Sequence, residues 1–173
     1  MHTMQKWFET VTDLAAGVEI LRRRRYGMIE AVDGQFVRVV LRPYPALFVG
    51  SWEAMLGMLG WPRRRTLPGD CCRLYYNQPR SLPNFLALKY VVAGQCGTFA
   101  TFRRVLEVLD EIARLKRTDA LVCDAMNVKL SDRFMRRCGW EPHCPSRWHR
   151  HFIKRFYGTY PPPAPWIRAL SQN

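Results

Sequence analysis

Two almost continuous apolar runs, Asn84 to Gly94 and Ala120 to Met126, bracket a stretch whose apolar residues recur at helical spacing. Runs of that kind belong to strands covered on both faces. Between them, Phe102, Val105, Leu106, Leu109, Ile112 and Ala113 fall on one stripe. On the opposite face Arg103/Glu107 and Asp110/Arg114 are spaced as i,i+4 pairs. Strand, crossover helix and strand in that order predict two parallel neighbours. Earlier in the chain, residues 4 to 16 predict an amphipathic helix with Trp7, Phe8, Val11, Leu14 and Ala15 on one face, ended by Gly17. Tyr26 to Val32 and Gln35 to Leu41 predict a hairpin turning at Asp33-Gly34. A short strand over Leu47 to Val49, a helix capped by Ser51, a basic loop and a strand over Cys71 to Asn77 follow. Past Met126 the pattern gives a short helix stopped by Gly139, then an antiparallel edge strand over Trp148 to Tyr157. Residues 1–158 thus read as one domain, and 159–173 as an extended, proline-rich tail that packs little.

The loop Gly94-Gln-Cys-Gly-Thr-Phe-Ala100 enters the central helix from the end of a strand. A helix start carries unpaired N–H groups and the positive end of the dipole, so small residues there can hold phosphate oxygens. Taken alone, the same residues read first as a turn shaped by Gly94 and Gly97, with Thr98 capping the helix.

The following segment adds weight to the phosphate reading. Gln95 and Ala100 match the first and last positions of a Q/R-x-x-G-x-G/A loop, Asn127 follows the next strand, and Gly139-Trp140 closes the next helix. In this the C-terminal half resembles the GNAT N-acyltransferases, whose pattern ends in Gly-Phe. The resemblance implies an α/β (α+β) fold, a mixed and mostly antiparallel sheet flanked by helices and splayed between the Asn84 and Ala120 strands. It implies acetyl-coenzyme A, or another acyl-coenzyme A, as cofactor, and an amine as acyl acceptor. Backbone N–H groups of Gln95, Gly97, Thr98, Phe99 and Ala100 would meet the pyrophosphate, and Tyr90, Val92 and Asn127 the pantetheine arm. The chain departs from the pattern at two places. Thr98 holds the middle glycine position, with Gly97 one residue early. Met135 holds the position of the family's acid tyrosine, with Phe134 beside it, and neither can protonate a leaving thiolate. Two alternatives therefore stand beside an N-acyltransferase: a silent relative binding coenzyme A or a protein, and a basic nucleic-acid-binding module.

Charge keeps the last alternative open. The formal net charge is +13 over 173 residues, carried by runs at Arg22 to Arg25, Arg63 to Arg65, Arg136-Arg137 and Arg147 to Arg155. Such a surface favours polyanions, coenzyme phosphates included, though a solvated basic face explains a charge run equally well. The apolar share of 48% fits a globular domain, no apolar run is long enough to span a bilayer, and the expected setting is cytoplasmic. Six cysteines without secretory features are expected as thiols.

Three smaller groupings complete the reading. Cys138, His143, Cys144, His149 and His151 crowd one region but lack a C-x-x-C pair, so no metal is expected. Cys96 lies at a helix start, where thiols gain reactivity, but also suits a tight loop as a small filler. Asp124, at the carboxyl end of an apolar strand, is the candidate general base if buried, and an arginine's partner otherwise.

Overall fold

A computed structural model describes residues 8–43, 69–124, 131–144 and 150–170. In chain order the elements are β1 (Glu9–Val11), α1 (Val18–Arg23), β2 (Tyr26–Val32), β3 (Gln35–Arg42), β4 (Cys71–Asn77), β5 (Phe85–Ala93), α2 (Phe99–Lys116), β6 (Ala120–Asp124), α3 (Asp132–Arg137), β7 (Glu141–Pro142), β8 (His151–Arg155) and α4 (Pro165–Leu170). The strands form one sheet in the order β1-β3-β2-β4-β5-β6-β8-β7. The β5–β6 pair is parallel and every other neighbouring pair antiparallel. This is the mixed, mostly antiparallel sheet that the GNAT resemblance implies.

Local chemistry sets most of these elements. Asp33 and Gly34 both take positive φ, 49° and 73°, the turn whose twist matches paired strands. The apolar stripe of α2 is fully buried at Val105, Leu109 and Ile112 against Ile29, Val39, Leu74, Tyr76 and Leu86 of the sheet. Thr98 caps α2, accepting from Thr101 N, and Arg117 ends it in the left-handed conformation. Across the sheet's other face, Glu30 is buried between Arg38 and Arg73. Burial raises its carboxyl, yet the two guanidiniums outweigh burial and hold it below the usual carboxylate range.

Four expectations are corrected. Residues 9–11 form a strand rather than part of a helix, because Thr10, Val11 and Thr12 are β-branched and Val11 pairs with Val39 to cover the edge of β3. Gly17 sits at the start of α1, not at the end of a helix, and a Cβ on it would lie 2.3 Å from Val11 Cγ1. The strand over 151–155 is internal, since β7 pairs along its outer side. The tail also packs. Pro165 opens α4, Ile167 is buried, Trp166 Nε1 donates to Glu107, and Tyr160 Oη donates to Thr118 O. Reading its prolines as an extended spacer missed the apolar pair Trp166-Ile167 behind them. The strand over 47–49 and the helix after Ser51 lie outside the described residues.

Candidate functional site

Among the described residues the parallel pairing ends where β5 contains a bulge. Tyr75 faces Tyr90 and Tyr76 faces Leu88, so Lys89 is an extra residue with no opposite number. The β5–β6 pairing stops at that point, with Leu88 opposite Cys123, while β5 continues to Ala93 paired with β4 alone among the described residues. Bulges redirect a strand and terminate pairing, so Lys89 accounts for the fork. No glycine announces it. Its signal in the sequence is one lysine inside an otherwise apolar run.

The loop from Gly94 to Thr98 sits at the open end of that fork and leads into α2. Gly94 N donates to Cys71 O (2.7 Å), Cys96 N to Gly69 O (3.3 Å) and Gly97 N to Gly94 O (3.1 Å). A Cβ on Gly97 would lie 3.2 Å from both Ala93 Cβ and Gly94 O, so crowding rather than positive φ favours glycine there. Thr98 is extended, with φ −87°, and its β-branch is unstrained in the middle position of the loop.

The residue that sequence reasoning missed is Asp70. Its carboxylate lies over the start of α2, accepting from Thr98 N (2.8 Å), Thr98 Oγ1 (2.6 Å) and Thr101 Oγ1 (2.6 Å). The buried Thr101 hydroxyl accepts in turn from Gly34 N at 2.7 Å, tying the loop to the β2–β3 hairpin. The hydrogen bond from Thr101, then those from Thr98, hold Asp70 below the ordinary carboxylate range. A helix start suited to phosphate thus already carries an anion of the protein's own. Asp70 lies far from the loop in sequence, so spacing could not reveal it.

The other expected residues fall into place as follows. Gln95, Gly97, Thr98, Phe99 and Ala100 share the loop and are exposed. Among the described residues, the N–H groups of Phe99 and Ala100 have no acceptor, whereas those of Gly97 and Thr98 are engaged. Tyr90 and Val92 lie on β5 beyond the bulge, with the Tyr90 ring stacked 4.5 Å from Tyr75. Asp124 ends β6 at the fork, opposite His151, and is exposed, so the buried carboxylate considered there is not found. The strand has run past the core at that residue. Asn127 lies outside the described residues.

Two features bear on the acid position. Met135 is 3% exposed and part of the core, so it faces inward from α3 and not into the fork. Phe134 instead meets the loop, edge-on to Phe99 at 4.4 Å and tilted against Phe102 at 5.5 Å. Tyr157 hangs at the other end of β6, its N–H donating to Asp119 O. Elsewhere, no group of histidine, cysteine and acidic side chains arranged for a metal ion occurs among the described residues. Burial pushes the thiols of Cys72 and Cys123 up to about 12, leaving them inert, while Cys96 and Cys144 are exposed and free.

No protein-family model matches the chain, and no curated protein does. Among solved structures it is similar to nourseothricin acetyltransferase, at 11% identity and a TM-score of 0.40, over 87% of this chain and 99% of that one. A likeness at that level carries no argument about chemistry. The fork, the loop and Asp70 have to be read on their own geometry.

Proposed function

We propose that the protein binds the acyl-pantetheine portion of an acyl-coenzyme A in the fork between β5 and β6, and that it is a slow or silent relative of the N-acyltransferases. The observation that supports this is that β5 past Leu88 pairs with β4 alone among the described residues, beside the start of α2. An amide-bearing arm can pair with a free strand edge as another strand would.

The fit to the whole coenzyme is uneven. The strand edge suits the pantetheine arm, and Phe99 and Ala100 retain N–H groups for one phosphate. A pyrophosphate would meet Asp70 at the same helix end, where like charges repel. When bound, such a coenzyme supplies an activated thioester. Asp124, exposed at the fork, is the carboxylate offered to an acceptor amine. No tyrosine hydroxyl stands at the α3 position to protonate the thiolate, since Met135 is buried and Phe134 carries no proton to give. Loss of a general acid typically costs about 10²-fold or more.

Calorimetric titration with acetyl-coenzyme A and with S-acetylpantetheine, which lacks the pyrophosphate and nucleotide, tests the reading. The two should bind with affinities within about tenfold of each other, because the charged half contributes little against Asp70. No heat from either ligand would remove the fork as an acyl-carrier site.

A further inference from the structure

At the other end of α2, about 27 Å from the loop at 1.5 Å per residue, the charge balance reverses. A cavity of about 390 Å³ opens between the ends of α1 and α2, lined by Arg22, Gln78, Leu115, Lys116 and Arg117. No acid lines it. Glu9, which could have neutralised the Arg22 to Arg25 run, is spent on Arg23 and Arg24. Arg22 gives one N–H, Nε, to Leu115 O at 3.0 Å. Neither Arg22, Arg25 nor Arg117 has a carboxylate partner among the described residues, and Arg25 Nη1 is buried with no hydrogen bond.

Lys116 builds the wall. Its ammonium donates to Arg22 O (3.0 Å), Arg24 O (2.7 Å) and Gln78 Oε1 (3.1 Å), which spends all three protons and pins the last turn of α1. Arg22 and Arg117, both exposed, line the opening. Arg117 also lines a neighbouring cavity of about 370 Å³ with Arg114, already paired to Glu111, and with Asp119. The carbonyl end of α2 disfavours an anion by about half a charge, against the cations Arg22, Lys116 and Arg117 that line the space.

We propose that this cavity binds a phosphate group, held by the forks of Arg22 and Arg117 with Arg25 behind them. Planar guanidiniums match phosphate oxygens two at a time, which a lysine point charge does not. The phosphate can belong to a small phosphorylated molecule or to a nucleic-acid backbone, and the chemistry recognised is the same.

The test uses the full chain in about 0.1 M salt, where exposed charges beyond ~10 Å are screened. Inorganic pyrophosphate is titrated by calorimetry, and a labelled oligothymidine by fluorescence anisotropy. Arg22→Gln combined with Arg117→Asn removes both forks; asparagine tolerates the left-handed φ of 55° at that position, so the fold is retained. Whichever probe binds should bind at least about tenfold more weakly to this variant. A control removing Arg133, Arg136 and Arg137 of α3, all exposed and each changed to Gln, should alter affinity by no more than about twofold. Pyrophosphate binding identifies a small ligand, and binding of the oligonucleotide alone identifies a backbone. Equal losses in the two variants, a loss within about twofold in the double variant, or binding of neither probe overturns the proposal.

Discussion

The two ends of α2 differ in how their charge is met. At its start, where backbone N–H groups and the dipole call for an anion, Asp70 supplies one from within the chain. At its end, where carbonyls call for cations, Arg22 donates to Leu115 O while Lys116 is spent on the carbonyls that end α1, and more positive charge gathers than the helix can use. The end matching a phosphate motif is thus the one already satisfied. The end with no motif keeps unneutralised guanidiniums. A short loop pattern reports which backbone could bind an anion, whereas the distant residue that has taken the place is invisible to it.

The largest effect expected from breaking this contrast is at the start of α2. Thr101→Val removes a fully buried hydroxyl that joins Asp70 to Gly34 N, leaving a partly buried donor without that acceptor. It should cost about 1–3 kcal/mol of folding stability in urea denaturation. A change under about 0.5 kcal/mol would show that the hydroxyl bridge contributes little.

A smaller effect distinguishes the other end by pH. Burial, and then the charge of Arg25, push Lys116 down to about 8, against an ordinary value near ~10.4. Between those values the unfolded chain holds more protons than the folded one, so stability should rise with pH across the window. Below pH 8 both states hold the proton and the contribution is flat. The comparison is with Lys116→Met, which cancels the titration of Cys72 and Cys123, whose thiols act in the opposite sense as pH rises. A stability difference between the two proteins that stays constant from about pH 7.5 to about pH 10, across the value of about 8, would contradict the assignment.

Much of the fold was legible because local patterns were unopposed. The Asp33-Gly34 hairpin, the α2 stripe and the strand at 71–77 were all set by turn chemistry or periodicity. The helix over residues 4 to 16 failed over 9–11 because its helical spacing carried no sign of the β-branched Thr10 and Val11 pairing with β3. Charge partners were read less well. Arg103 does meet Glu107, but Asp110 turns to Lys154 and Arg114 to Glu111. The basic strand at 147–155 looked like a polyanion face, yet Arg150, Lys154 and Arg155 each meet an acid. In the candidate site, the loop's position was legible from strand-to-helix spacing, while Asp70 and the Lys89 bulge depend on contacts between strands that no local pattern encodes.

The most direct measurement is the affinity of Asp70→Asn for acetyl-coenzyme A and for S-acetylpantetheine, each set against the native protein. Asparagine keeps an acceptor for Thr98 N and removes the charge. If Asp70 stands in the place of a phosphate, the variant should bind acetyl-coenzyme A about tenfold more tightly and S-acetylpantetheine no differently. Equal affinity of native and variant proteins for acetyl-coenzyme A would show that the carboxylate does not guard that helix end. A parallel gain for both ligands would show that it acts on the fork as a whole.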